Sequence, residues 1–264
     1  MTAPGPNGVI GPDYNRKSLA ALVRGAARNL FRRGPLRPVD VAWSCGVVSF
    51  TFDDFPKSAW TRGGETLEMF GARGTYYVSA GLEGQASEMG PMFDAADLRE
   101  AHSAGHEIAC HTFMHLNCAR AGKGEILSQL RDNAAALSNA LDGYQPANFA
   151  FPYGAVSSAA KRAVGSRFSS CRGIGDGINH ASTDLAHLSA NKLYATLFDN
   201  ARLRALIDHN RSLGGWLIFY THDVDDAPSR YGCTQQQLHS IVDYAAERST
   251  ILPVRDVVSR LPAG

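Results

Sequence analysis

The stretch Val47-Val48-Ser49-Phe50-Thr51-Phe52-Asp53-Asp54 decides the fold. Six residues that are β-branched, aromatic or small follow Gly46 and run straight into two acids. That composition reads as a buried strand that stops at charge. Two adjacent carboxylates at its end cannot both point into an apolar core, because an unpaired buried carboxylate is costly or becomes protonated. They need a cation, a hydrogen-bond network or water. At the carboxyl end of a strand in an α/β protein, such a need marks an active site.

Outward from that strand, extended and helical segments alternate. Strands are expected at 74–78, 106–110, 148–151, 167–171, 192–197, 216–221 and 250–254. Helices are expected at about 65–71, 94–104, 124–141, 157–164, 200–213 and 234–248, with Asp94 as an N-cap and Gly143 just past a C-terminus. Residues 79–93 read as a loop insertion, and 173–180 as a glycine-rich loop. Alternation of this kind implies βαβ units and a mainly parallel sheet.

The 264 residues are 44% hydrophobic and 19% charged, enough for one substantial α/β core. A net charge of +1 gives no electrostatic case for nucleic acid. The charge is uneven: residues 1–40 hold seven basic and two acidic side chains, the remainder 19 and 23. No apolar run approaches a membrane span. Leu19-Ala20-Ala21-Leu22-Val23 is cut by Arg24 and is too short for a secretory h-region. Five scattered cysteines without a C-x-x-C pair then read as reduced thiols of a cytoplasmic protein.

Ionisable residues gather where strands end. Asp53-Asp54 follow the first strand, His111-Thr112-Phe113-Met114-His115 the third, Pro152-Tyr153-Gly154 the fourth, and His222-Asp223 the strand Trp216–Thr221. In a closed parallel barrel these ends meet on one face. Histidines four apart share a face of a helical turn, a spacing suited to a shared metal. His106 begins its strand and reads as structural. Cys118 reads as a small buried hydrophobe. Trp60 and Tyr153 are candidates for stacking on sugar rings or for core packing.

On these motifs the sequence resembles the polysaccharide deacetylases, carbohydrate esterase family 4, with the NodB-homology domain. Thr51-Phe52-Asp53-Asp54 matches the first family motif and His111-Thr112-Phe113-Met114-His115 the second. Phe151-Pro152-Tyr153-Gly154 matches the third in part, and His222 after Phe219-Tyr220-Thr221 the last. The resemblance covers about Val41 to Val258 and implies a distorted (β/α) barrel of seven or eight strands. It implies Asp54, His111 and His115 as metal ligands, Asp53 as catalytic base and His222 as general acid. Two imidazoles and a carboxylate suit a divalent metal, Zn²⁺ foremost. The backbone N–H of Tyr153 is the expected oxyanion donor.

Two departures stand out. Family members commonly carry an Arg two residues before the Pro-Tyr-Gly run, where this chain has Ala150. Arg172 is the candidate replacement beside Asp53. The family Asp that orients the acid histidine has no clear match; Asp223, Asp225 or Asp226 are candidates.

The expected activity is metal-dependent removal of N-acetyl groups from amino sugars, foremost N-acetylglucosamine, of a cell-surface or exported polysaccharide or its lipid-linked precursor. Capsule, biofilm polysaccharide and adhesive holdfast are the expected destinations. The alternatives are a hydrolase of small amides or imides on the same fold, and a barrel that only binds glycan.

The domain division expected is 1–40, an arm with a basic amphipathic helix, and 41–264, the barrel. Over Asn15–Arg33, Leu19, Leu22, Val23, Ala26, Leu30 and Phe31 form an apolar stripe, with Arg24, Arg28 and Arg32 on another side. Packing on the barrel, on a second subunit, or on an anionic inner membrane surface are the three readings.

Overall fold

The computed structural model describes residues 34–262. The helix expected over Asn15–Arg33 lies outside the described residues. In chain order the strands are β1 (Pro38–Val41), β2 (Val47–Asp54), β3 (Thr75–Val78), β4 (Ala86–Ser87), β5 (Gly90–Pro91), β6 (Glu107–Cys110), β7 (Asn148–Ala150), β8 (Ser170–Arg172), β9 (Ala181–Asp184), β10 (Asn191–Lys192), β11 (Trp216–Thr221) and β12 (Thr250–Ile251).

Seven of them form one curled parallel path, in the order β10-β11-β2-β3-β6-β7-β8, with β12 also paired to β2. Helices surround it, giving the distorted (β/α) barrel. Leu188 closes part of the remaining gap: its N–H donates to Cys171 O at 2.8 Å, and Gly173 N–H donates to Leu188 O at 2.9 Å. The chain then enters β10.

Strand β2 is buried along its whole length. It can be so because β11 pairs with it from Val47 to Phe52, and β3 from Thr51 to Asp54. Successive side chains point to opposite faces. Val48, Phe50 and Phe52 join Tyr76, Val78, Ile108, Leu217 and Phe219 in the core shared with residues of the helices Ala95–Ser103, Asn200–Leu213 and Gln235–Ala246. The other face carries Val47, Ser49, Thr51 and finally Asp53. Its hydroxyls are satisfied internally: Ser49 Oγ donates to Leu252 O at 2.7 Å and Thr51 Oγ1 to Phe219 O at 2.9 Å.

The amino end of the barrel carries a buried polar ladder built from the first residue of four strands. Thr75 Oγ1 donates to Glu107 Oε2 at 2.8 Å, Asn148 Nδ2 to Glu107 Oε1 at 2.6 Å, and Ser170 Oγ to Asn148 Oδ1 at 2.8 Å. The helix Val254–Ser259 sits on it, its first amides donating to Thr75 Oγ1 and Glu107 Oε2 at 2.9 and 2.8 Å. A carboxylate there meets unpaired helix N–H groups. His106 is structural, as its place at the strand start suggested: its Nδ1 accepts from Gly74 N–H at 3.0 Å.

The helix Asn200–Leu213 and strand Trp216–Thr221 fall where their patterns put them. Asp94 caps its helix with a capping box closed by Asp97. Five expectations need correction. The strand expected at 192–197 is confined to Asn191–Lys192, and Ala195–Leu197 wind into a short 3₁₀ turn. The strand at 250–254 ends at Ile251, and Val254 opens the helix just described. Residues 167–169 turn instead of extending, so Arg172 is the last residue of β8 and not just past it. Within 79–93 the chain forms the hairpin β4–β5. Residues 35–40 belong to the barrel body, because β1 pairs with β9 and Asp184 accepts from the Leu36 and Arg37 amides. No helix among the described residues is long and apolar enough to cross a membrane.

Candidate active site at the carboxyl ends of the strands

A cleft of about 680 Å³ opens where β2, β6, β7, β8 and β11 end. Asp53, Asp54, His111, His115, Tyr153 and His222 all line it.

Backbone strain concentrates here. Asp54, Phe55, Thr112, His115 and Tyr153 all have φ between 51° and 65°. For residues with a Cβ this region costs about 1–2 kcal/mol each. It is held by packing: the Phe55 ring lies 4.6 Å from that of Tyr76 and 5.0 Å from that of Phe93, and Phe93 N–H donates to Phe55 O. The sharp turn after Asp53 lets two successive carboxylates reach the same cleft.

Asp54 faces both histidines of the second motif. Its Oδ1 is 3.3 Å from His115 Nε2 and 3.7 Å from His111 Nε2. The three ligand-capable atoms lie within 4.8 Å of one another. Ala150 O accepts from His111 Nδ1 at 2.8 Å. That bond fixes the neutral tautomer and leaves the Nε2 lone pair facing Asp54. Burial lowers His111 to about 3 and His115 to about 4, so both imidazoles are neutral. Burial, with the charge of Asp53, raises Asp54 to about 7. Its Oδ1 is buried with no hydrogen-bond partner. A buried oxygen without a donor, faced by two imidazole lone pairs, is a set that a divalent cation satisfies. The residues present therefore fit a metal.

Asp53 is held differently. Arg172, 1% exposed, donates from Nη2 to Asp53 Oδ1 and from Nη1 to Gly173 O at 2.9 Å. Its guanidinium carbon stands 4.8 Å from the Tyr77 ring centre and 5.0 Å from that of Tyr220. Burial works to raise the Asp53 carboxyl, but Arg172 and the nearby histidines hold it below its usual range. The two carboxyls thus diverge, Asp53 an anion at neutral pH and Asp54 one that needs a cation.

His222 stands across the cleft, its Nε2 3.9 Å from Asp54 Oδ2 and its Nδ1 3.3 Å from Tyr231 O. Burial lowers its pKa, opposed by Asp53 and the Tyr231 carbonyl. Asp223 does not hydrogen-bond His222. Its carboxylate accepts from Ser229 Oγ at 2.6 Å and Ser229 N–H at 2.7 Å, bracing the turn that carries Tyr231. A main-chain carbonyl therefore meets the imidazole where an acid was expected. Asp225 and Asp226 face Arg62 at 3.6 and 3.0 Å.

Tyr153 is 62% exposed, its ring centre 4.2 Å from that of His115. Trp60 packs on Tyr76 and His106 and does not line the cleft. Tyr194, Tyr220, Tyr231 and Lys192 do line it, as do Ser87, Glu88 and Met89 of the 86–91 hairpin. None of these was singled out from sequence. An aromatic residue in a strand reads as core until the strand's partners are known. The tyrosine density between 194 and 231 was the available signal.

Residues 41–167 match the polysaccharide deacetylase family model. Over 112 residues the chain is 30% identical to a probable peptidoglycan-N-acetylglucosamine deacetylase of Arthroderma benhamiae, covering 42% of this chain and 24% of that protein. The chain thus spans about a quarter of that relative's length. A family 4 acetyl xylan esterase from Clostridium thermocellum, solved with a cobalt ion, is similar at TM-score 0.58 and 21% identity, over 81% of this chain and 90% of that one. A putative polysaccharide deacetylase from Mycobacterium smegmatis is similar at TM-score 0.59 and 16% identity, over 86% and 94%.

Proposed function

We propose that this chain, which belongs to the polysaccharide deacetylase family through residues 41–167, is a metal-dependent hydrolase that removes N-acetyl groups from amino sugars of a polysaccharide. One observation carries the reading. The Asp54–His111–His115 cluster and the separately ionised Asp53 share one cleft.

Asp54, His111 and His115 would hold the metal. A bound divalent cation supplies a Lewis acid that polarises the acetyl carbonyl and makes a nearby water more acidic. Asp53, kept anionic by Arg172, takes the proton of the attacking water as its oxygen bonds to the carbonyl carbon. The carbon–nitrogen bond then breaks, and the leaving nitrogen needs a proton. The Tyr231 carbonyl accepts from His222 Nδ1–H, which leaves Nε2 as the atom that takes up a proton from solvent and passes it to nitrogen, while the proton on Asp53 returns to solvent. The products are acetate and the free amine. The Tyr153 backbone N–H would support the developing oxyanion, a role favoured by its left-handed backbone at the edge of the cleft.

The finer parts of the proposal are Zn²⁺ as the metal, N-acetylglucosamine as the sugar and an exported glycan or its lipid-linked precursor as the substrate. A cytoplasmic setting is part of it, supported by five cysteines that are all free thiols, four of them buried. Metal analysis of purified protein, combined with acetate release over a panel of N-acetylated oligosaccharides, tests the reading. Release from small amides alone, or glycan binding with no release at all, overturns it.

A further inference from the structure

Lys192 is the one Lys or Arg side chain on the cleft wall among the described residues. Of the three acids of that wall, Asp53 is paired with Arg172 and Glu88 lies 3.7 Å from Arg230, while Asp54 faces the imidazoles of His111 and His115 in the metal cluster. Lys192 is therefore not needed to neutralise the cleft. Its own partner is Asp176, 3.6 Å away and 52% exposed, in the loop Gly175-Asp176-Gly177. An exposed pair at that distance contributes little and is readily exchanged for another anion.

Its place on the sheet is defined. Lys192 pairs with Tyr220 across β10 and β11, and Tyr220 pairs with Thr51 across β11 and β2. Strands lie about 4.8 Å apart, so Lys192 is based roughly 10 Å from the strand of Asp53. Tyr194 and Tyr220 line the cleft beside it. A sugar whose acetamide reaches Asp53 and Asp54 leaves the Lys192 ammonium to a neighbouring unit of the glycan, or to a substituent remote from the acetamide.

We propose that Lys192 binds an anionic group, a carboxylate or a phosphate, on the glycan beside the unit that is deacetylated. The inference rests on the deacetylase reading and narrows its substrate to an acidic polysaccharide. On binding, the substrate anion displaces Asp176 from the ammonium. The acids elsewhere in the cleft repel a misplaced anion, so the same arrangement sets the register of the chain.

The test uses three matched N-acetylated oligosaccharides: one neutral, one with a uronic acid carboxylate next to the acetylated sugar, and one with a phosphate there. Wild type is expected to favour an acidic one. Lys192→Met should lower kcat/KM on it by roughly tenfold more than on the neutral one, mostly through KM, as a lost charged hydrogen bond does. Lys192→Arg should keep the preference, and added salt should shrink it. Which acid shows the effect identifies the group. No preference in wild type, or equal loss on neutral and acidic substrates, overturns the proposal. Calorimetric binding of the same oligosaccharides separates the two readings. Lys192-dependent binding of the acid without acetate release would sink the reaction and keep the site. Acetate release indifferent to Lys192 would keep the reaction and sink the site.

Discussion

The two ends of this barrel handle their buried strand-end carboxyls, Glu107 and Asp54, in opposite ways. At the amino end, Thr75, Glu107, Asn148 and Ser170 hydrogen-bond in series, and the amides of Val254 and Arg255 complete the set. At the carboxyl end, about 13 Å away along four-residue strands, Asp54 Oδ1 and Arg172 Nε are buried without hydrogen-bond partners. Five non-glycine residues there sit at positive φ. A closed network rigidifies and stabilises, whereas unmet donors, unmet acceptors and strain mark a place kept for a ligand. Strands β3, β6, β7 and β8 run from one end to the other, so what the amino end stabilises offsets the cost of the site.

If that contrast holds, substitutions at the carboxyl end should remove function while leaving or improving stability, and those at the amino end should do the reverse. The largest effect belongs to the metal cluster. His111→Ala and Asp54→Asn should each strip the metal and abolish activity. With both proteins metal-free, Asp54→Asn should melt no lower than wild type, because it removes a buried carboxyl beside Asp53. A clear fall in Tm for the metal-free variant would break the contrast.

Asp53→Asn comes next. Its amide oxygen can still accept from Arg172, and the metal ligands are untouched. Metal content should stay, while kcat falls by roughly 10²–10⁴-fold, the usual worth of a general base. Metal loss equal to that of Asp54→Asn would erase the division of roles between the two acids.

These two predictions lean on residues the sequence made legible. Asp53, Asp54, His111 and His115 could be found because each follows an apolar run with strand periodicity, and the parallel fold brings such ends together. Arg172 was reachable only because the family resemblance implies an Arg where this chain has Ala150, and Arg172 follows an expected strand. Tyr231 O was not, because a main-chain carbonyl leaves no mark in the residue type, and only the Asp223–Ser229 turn places it. The amino-end ladder was hidden for a related reason. Thr75, Glu107, Asn148 and Ser170 lie up to 95 residues apart in number, and nothing local tells that each starts a strand in register with the next. The strand β1 was missed because its four residues pair with a partner at 181–184, far along the chain.

At the amino end, Glu107→Ala should leave Asn148 Nδ2, Thr75 Oγ1 and the Arg255 amide without their acceptor. Unmet buried groups cost about 1–3 kcal/mol each before relaxation. The net loss should be roughly 2–4 kcal/mol, read as a lower denaturation midpoint. Metal content and kcat of the folded fraction should stay near wild type. A variant equally stable but inactive would show that the two ends are not separable.

The smallest effect should come from Glu107→Gln. Its amide oxygen can stand where Oε2 does, accepting from Thr75 and the Arg255 amide. Its NH₂ then faces Asn148, which can flip to accept, while the Ser170 hydroxyl turns from donor to acceptor. The ladder thus survives with its polarity changed, at a cost of about 1 kcal/mol or less. What changes is the response to pH. Burial raises the Glu107 carboxyl above its ordinary 4.5, although Asn148, the Arg255 amide and Thr75 pull it down. In this pH range the folded state therefore binds more protons at this residue than the unfolded state does. Its contribution to stability is greatest below pH 4.5 and is lost as pH rises through the folded-state value. Glutamine cannot ionise, so the variant should gain on wild type as pH rises from 4.5 toward neutrality. Urea midpoints of both proteins across that range read the difference directly. A difference that stays flat, or that runs the other way, would show that the ladder holds Glu107 as a well-solvated anion and not as a buried acid.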